Sequence, residues 1–328
     1  MGYSKNPLRC KVHLTKPTLS VIVSTKNNRS TICKTLESIK KLTLHIDTEL
    51  IIVDGLSKDG TFEVVSSFIR KSKGTFTNAI LLRDPGLSLS FSRHIGYKYS
   101  KGEYLLFLDG DMVISRMFID NIDKYLKVAD AISPKTVIVP LDKFTYAFNV
   151  IVSVGNKLLE SRSTFVLPIL RLIRRIILDK LGGYPCFSSY FAEDQILVKL
   201  ILMLPGIKVT YAHDLIIYKI DSPGLSSYIR KHLRYGEGLV KDISKIGKSI
   251  LRREILLRQF RFLNVFLPLD SLAVVLYSTL MLKTLIRRAK LIDIACLKYM
   301  INLAMLLGVI KSYIKDVNIV GSMKASLK

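Results

Sequence analysis

The first 140 residues alternate between short apolar runs and segments with helical spacing, and this alternation restricts the possible folds more than any other feature. Four apolar runs are typical of buried strands: 19–24, 49–54, 79–83 and 104–109. Apolar residues recur at helical spacing in the segments between them: 30–41, 59–71 and 88–100. Continuous apolar strands joined by helices are typical of a mostly parallel sheet covered on both faces. The sequence therefore predicts an α/β fold, with one further strand at 136–141.

Polar side chains stand where three of these strands end. They are Thr25, Asp54 and Asp109, and Asp111 follows Asp109 after one glycine. Ligands of open parallel sheets bind beyond the carboxyl ends of the strands. Two carboxylates one residue apart repel each other unless a cation is present, and Mg²⁺ or Mn²⁺ takes such carboxylates together with phosphate oxygens. A metal site and a solvated turn are therefore the two interpretations of this pair.

A second acidic pair, Glu193-Asp194, follows a loop rich in glycine, proline and serine and precedes a predicted helix at 195–204. There it could offset the helix dipole, or it could supply a general base above the strand ends. Asp54 could accept hydrogen bonds from a base N–H or from ribose hydroxyls, or it could be a turn residue. Asp59 is expected to cap the second helix.

Four stretches resemble the family 2 glycosyltransferases of GT-A fold. They are, in order, SVIVSTKNN, ELIIVDGLSKDGT, FSRHIGYKYSKGEYLLFLDGDM and LGGYPCFSSYFAEDQILVKL. The resemblance covers roughly residues 19–213. It implies inverting transfer of a sugar from a nucleotide-diphosphate sugar, with a divalent metal, Mn²⁺ or Mg²⁺, as cofactor.

The same resemblance implies roles for individual residues. Those expected against the nucleotide sugar are Thr25, Asn27, Asp54, Arg93 and Asp109. Asp109 and Asp111 are expected to hold the metal, and Arg93 is expected near the diphosphate. Asp194 falls on the catalytic base of the family, with Glu193 beside it.

The chain departs from the family pattern at three points. Gly55 follows Asp54 where many members have a second aspartate, and His94 stands where asparagine is usual. The Q-x-x-R-W motif of processive members is absent, since the chain contains no tryptophan. A single transfer is therefore expected, not processive polymerisation.

The second half of the chain is both more basic and more apolar than the first. Lys and Arg number 50 against 26 Asp and Glu, a net charge of +24, and residues 145–328 hold 28 of the basic and 12 of the acidic side chains. A basic amphipathic helix is predicted at 165–181. The apolar stretches 262–282 and 292–310 contain charges, and a two-span hairpin would conflict with the positive-inside rule. Helices lying on an anionic membrane surface are expected, with a soluble helical subdomain or a single span as alternatives.

These features predict a basic N-terminal tail at 1–18, a catalytic domain at 19–225 and a helical membrane-associated region at 226–328. The absence of a secretory signal and four scattered cysteines favour the cytoplasm, at the inner face of the membrane. The expected acceptor is a membrane-associated glycan or glycolipid hydroxyl, with a polyprenyl phosphate as the alternative. The charge alone would also suit a nucleic-acid-binding protein, but that class does not explain polar and acidic side chains at three strand ends, and no nucleic-acid partner is expected.

Overall fold

The computed structural model describes residues 8–11, 18–139, 169–186 and 193–220, together with 229, 230 and 233. The chain divides into two compact units, and the strands and helices below belong to the first. The apolar stretches at 262–282 and 292–310 lie outside the described residues. Within the described part of the chain, no helix is long and apolar enough to cross a membrane.

The described part of the chain forms one mixed sheet with helices packed on it. The strands are β1 (Leu8–Lys11), β2 (Leu19–Thr25), β3 (Thr48–Asp54), β4 (Asn78–Arg83), β5 (Tyr104–Asp109), β6 (Met112–Ile114), β7 (Ala131–Ile138), β8 (Leu172–Arg174) and β9 (Val209–Lys219). The helices are α1 (Ile32–Leu42), α2 (Thr61–Lys71), α3 (Leu89–Tyr99), α4 (Arg116–Leu126), α5 (Arg175–Lys180) and α6 (Glu193–Leu202). The strand order is β1-β4-β3-β2-β5-β8-β7-β9-β6.

The centre of the sheet consists of four parallel strands, β4, β3, β2 and β5. Every residue of β2 and β3 is buried. Val21 and its neighbours on one face pack with apolar residues of α1, α2 and α4, whereas Ile22 on the other face packs with residues of α3, α5 and α6. The predicted α/β architecture, with a parallel sheet covered on both faces, is confirmed.

The predicted amphipathic helix at 165–181 is wrong over much of the part that the structure describes. Residues 172–174 form β8, which pairs antiparallel with β5, and the helix is limited to Arg175–Lys180. The basic side chains of this segment bind protein groups: Arg171 is buried beside the Phe107 carbonyl, and the Arg174 guanidinium donates to Asp130 Oδ1 at 2.9 Å. Arg171 and Arg174, which lie within the predicted helix, therefore bind groups in or beside the strands of the sheet.

Two further elements differ from the sequence-based expectations. The strand expected at 136–141 is β7, which begins at residue 131. Four residues of the segment assigned to a basic N-terminal tail form β1, antiparallel to β4 at one edge of the sheet. At the other edge, β9 lies between β7 and the short β6, with Met112 paired to Lys219. This pairing brings the end of β9 beside the turn that follows β5.

Gly102, just before β5, is a position where close packing excludes a side chain. A Cβ there would lie 2.5 Å from the Ser20 amide nitrogen and 2.8 Å from the Leu19 carbonyl carbon. We expect Gly102→Ala to lower the unfolding free energy by about 1–3 kcal/mol, because backbone atoms would have to shift. Calorimetric melting would show a fall in Tm of several degrees. Gly55→Ala is the matched control, since its nearest neighbour is 3.4 Å away; equal Tm values for the two variants would contradict the prediction.

Candidate active site

The carboxyl ends of the central strands bring several of the sequence-predicted site residues to one edge of the sheet, here called the carboxyl edge. Thr25 pairs in register with Asp54, and Ser24 pairs with Asp109. Asp54 and Thr25 are buried, while the Asp109 side chain keeps 23% of its surface exposed. The parallel register thus places two acidic residues and a threonine side by side where such sheets bind ligands.

The turn that carries Asp109 and Asp111 is fixed through the glycine between them. The Gly110 carbonyl accepts hydrogen bonds from the hydroxyls of Thr31 and Thr35, at 2.9 and 3.1 Å. A Cβ on Gly110 would lie 2.6 Å from Thr25 Oγ1, so glycine is needed for the turn to pack against the first loop. Both carboxylates are therefore held in place by the backbone of a tightly packed turn, which argues against a simple solvated turn.

The guanidinium of Arg93, on α3, joins this turn to the second acidic pair. Nη2 donates to Asp109 Oδ1 at 3.1 Å, and Nη1 lies 2.7 Å from Asp194 Oδ1 and 3.3 Å from Glu193 Oε1. Nη1 also donates to the Tyr184 hydroxyl at 2.9 Å. Arg93 was expected near a diphosphate, but its side chain is 2% exposed and its observed partners are three carboxylates and a phenol. In this structure it positions the acidic residues.

The charges of this group stabilise one another. Burial disfavours the charged form of Arg93, but Tyr184, Asp194, Asp109 and Glu193 raise its pKa well above the ordinary value. Burial likewise opposes ionisation of Asp109, yet Arg93, Arg171 and Lys219 hold the pKa of its carboxyl well below the usual range. Asp109 is therefore a carboxylate at neutral pH. The side chain of Asp194 is 29% exposed, so it can meet a ligand while Arg93 holds it from the buried side.

Lys219 is a site residue that the sequence reasoning missed. Its Nζ lies 2.5 Å from Asp111 Oδ2 and 4.0 Å from Asp109 Oδ2. The only sequence signal is that this lysine ends the apolar run LIIYK. The pairing of β9 with β6 is what brings the lysine beside Asp111. Within the described ranges, no group of three or more His, Cys, Asp or Glu residues could hold a metal ion.

Asp54 has one carboxylate oxygen engaged and one available. Oδ2 accepts a hydrogen bond from the Ser57 amide at 3.0 Å. Oδ1 is buried and has no hydrogen-bond partner among the described residues. A buried acceptor without a donor is costly, so this oxygen is suited to an N–H or O–H group of a ligand.

The remaining candidates hold the loops around Asp54. Asn27 has a positive φ of 55°, its amide donates to Ser57 Oγ at 2.8 Å, and its Oδ1 accepts from the Lys58 amide at 2.8 Å. Asp59, expected to cap α2, accepts from the Thr61 amide at 3.0 Å, although the capping position itself is Gly60. These contacts tie together the loops that follow β2 and β3.

Comparison with known families agrees with the resemblance in the sequence. Residues 20–182 match the profile described as "Glycosyl transferase family 2". The chain is similar to the poly(ribitol-phosphate) beta-N-acetylglucosaminyltransferase TarP of Staphylococcus aureus (strain N315), with 27% identity over 248 residues, 72% of this chain and 73% of TarP.

The chain is also similar to solved structures. The mannosyltransferase PcManGT of Pyrobaculum calidifontis, in complex with GDP-Man and Mn²⁺, superposes with a TM-score of 0.59 and 18% identity over 92% of this chain and 88% of that one. S. aureus TarS 1–349 in complex with UDP-GlcNAc gives a TM-score of 0.47 at 18% identity, over 91% and 92% of the two chains. The chain spans 45% of the length of a longer TarS structure, at a TM-score of 0.45. The likeness to PcManGT identifies the sheet and its helices as a GT-A fold.

The low pKa of Asp109 predicts a specific dependence of stability on pH. As pH falls from about 5 to 2, the unfolded chain takes up a proton at this position before the folded chain does, so stability decreases. We expect the unfolding free energy of Asp109→Asn, from urea titrations across this range, to fall less steeply than that of the parent protein. Asp123→Asn, an exposed change on α4, is the control and should change the slope less than Asp109→Asn does. If the unfolding free energy of Asp109→Asn fell with pH as steeply as that of the parent protein, the low pKa assigned to Asp109 would be wrong.

Proposed function

The chain belongs to glycosyl transferase family 2, and from that premise we propose that it moves a sugar from a nucleotide-diphosphate sugar to an acceptor hydroxyl, with inversion at the anomeric carbon. One observation carries the proposal: Asp109 and Asp194 bind the same guanidinium, at 3.1 and 2.7 Å. A carboxylate of the donor-binding turn and a candidate base are thereby held together at the carboxyl edge.

The nucleotide would lie against Asp54, Thr25 and Asn27. The available Oδ1 of Asp54 supports this placement, since a base N–H or a ribose hydroxyl would supply the missing donor. TarP is, by its name, an N-acetylglucosaminyltransferase. N-acetylglucosamine is therefore the first sugar to test on this chain.

A divalent ion would be held by Asp111 and Asp109. Carboxylate oxygens fixed on a rigid turn are the donors that Mg²⁺ and Mn²⁺ prefer, so the residues present fit such an ion. When bound, the ion would act as a Lewis acid on the diphosphate. Lys219 lies on the same oxygens and supplies positive charge there as well.

Asp194 would act as the general base. The acceptor oxygen forms a bond to the anomeric carbon as the bond to the diphosphate breaks, and the acceptor proton passes to Asp194. Arg93 orients this carboxylate through a 2.7 Å contact, and the buried Glu193 helps to position the guanidinium. An anionic polyprenyl phosphate acceptor would need no base, so the placement of Asp194 favours a hydroxyl acceptor.

The acceptor would be a polymer or glycolipid of the cell envelope at the inner face of the membrane. The TarP acceptor, by name, is a poly(ribitol-phosphate), and an anionic polymer of this kind suits a chain of net charge +24. We propose single transfer, because the processive tryptophan motif is missing. Residues 19–225, together with β1, would form the catalytic domain, and residues 226–328 would form the membrane-associated region.

Donor binding can be tested by thermal shift with UDP-, GDP- and dTDP-sugars, with and without Mn²⁺. A donor present at 100 times its Kd stabilises the folded state by about 2.7 kcal/mol, which raises Tm by several degrees. Asp54→Ala should reduce the shift strongly, whereas Asp47→Ala, an exposed residue just before the opposite end of the same strand, should leave it unchanged. The absence of any shift with every donor would overturn the proposed function.

The role of Asp194 predicts a split between binding and turnover. Asp194→Asn keeps an oxygen for Arg93 but removes the base, so we expect turnover to fall by about 100-fold or more with donor affinity within a few-fold of the parent. Initial rates and calorimetric donor titration measure the two quantities. Asp123→Asn, an exposed change on α4, should alter neither. Parent-like turnover in Asp194→Asn would remove Asp194 from this role.

A further inference from the structure

The backbone fixes Lys219 beside the acidic turn from two directions. Met112, directly after Asp111, pairs antiparallel with Lys219, and the Ile220 amide donates to the Asp111 carbonyl at 2.9 Å. On the other side, Ile138 of β7 pairs with Lys219. The lysine therefore extends from a strand that is paired on both edges, and its side chain is only 23% exposed. Its position depends on the sheet more than on a flexible loop.

The protein supplies a separate cation to each member of the Asp109–Asp111 pair. Arg93 binds Asp109 Oδ1, and Lys219 Nζ lies 2.5 Å from Asp111 Oδ2. The second Asp109 oxygen is 4.0 Å from the same ammonium. The repulsion between the two carboxylates is thus already offset by side chains, and a divalent ion that approaches them alone meets a positive charge.

We propose that Lys219 is a tethered cation of the donor site that contacts the diphosphate and competes with a free divalent ion for Asp109 and Asp111. The inference rests on the proposed donor site. An ammonium has three N–H donors. Among the described residues, Lys219 donates one hydrogen bond, to Asp111, so the other N–H groups can donate charge-assisted hydrogen bonds to diphosphate oxygens. Nucleotide binding then persists without metal, and the metal alone binds more weakly than it would without the lysine.

Binding of Mn²⁺ alone, followed by electron paramagnetic resonance on the full chain, tests the competition. Lys219→Met removes the charge at similar length and should bind Mn²⁺ at least about tenfold more tightly than the parent. Lys219→Arg keeps the charge and should remain weak. Lys208→Met removes an exposed lysine just before β9 and changes the net charge by the same amount. Its Mn²⁺ affinity should match that of the parent. Equal Mn²⁺ affinity in Lys219→Met and the parent would overturn the proposal.

Calorimetric titration with UDP, GDP and dTDP in EDTA tests the diphosphate contact. The parent and Lys219→Arg should bind one of these nucleotides, and Lys219→Met should bind it at least about tenfold more weakly, with recovery when Mn²⁺ replaces EDTA. Equal affinities of parent and Lys219→Met in EDTA would overturn the contact. If no variant binds any nucleotide in either condition, the proposed function fails, whereas the Mn²⁺ comparison still decides the role of Lys219. Matching thermal melts exclude misfolding as the cause.

Discussion

The buried guanidinium of Arg93 is the interaction on which the acidic site depends. Three carboxylates converge on it, and it is 2% exposed. Without this cation, Asp109, Glu193 and Asp194 would repel one another in a poorly solvated place, and breaking such a buried pair typically costs about 3–5 kcal/mol. Close packing of α3 against β2 positions the arginine. A Cβ on Gly96 would lie 2.3 Å from Ile22 Cγ2, so the helix approaches the strand more closely than any larger residue at position 96 would allow. A packing constraint in the core thereby sets the geometry of the proposed chemistry.

The sequence was sufficient to predict the central sheet because the signal there is local. Continuous apolar runs such as Leu19–Thr25 and Thr48–Asp54 have both faces buried, so each run identifies its own strand. Strand ends then place Asp54 and Asp109 at one edge without knowledge of any long-range contact. The same reasoning fails at residues 172–174, because β8 is too short to show alternation and its neighbours repeat basic residues at helical spacing.

The partners of the charged residues were less predictable, because they come from distant parts of the chain. No local sequence pattern indicated that Glu193 and Asp194 on α6 would bind the guanidinium of Arg93. Lys219 reaches Asp111 only because β9 crosses back to pair with β6. A lysine after an apolar run resembles an ordinary strand end, and only the pairing of strands more than a hundred residues apart distinguishes this lysine from a solvated one. The strand topology decides which charged residues come into contact, and local sequence patterns carry no information about that topology.

The balance of charge at the carboxyl edge is the basis for the proposal that Lys219 and a divalent ion serve one site. In the described part of the site, four carboxylates contact two cations, Arg93 and Lys219. Arg171 adds a third positive charge close enough to lower the pKa of Asp109. On the proposal made for Lys219, a free divalent ion would gain little here, because the ammonium already lies beside the oxygens that the ion would bind. A diphosphate changes the balance, since its added negative charge attracts the ammonium and the ion together. Metal affinity would then depend on the presence of the donor. The basic residues outside the site, in a chain whose total net charge is +24, would remain available for an anionic acceptor.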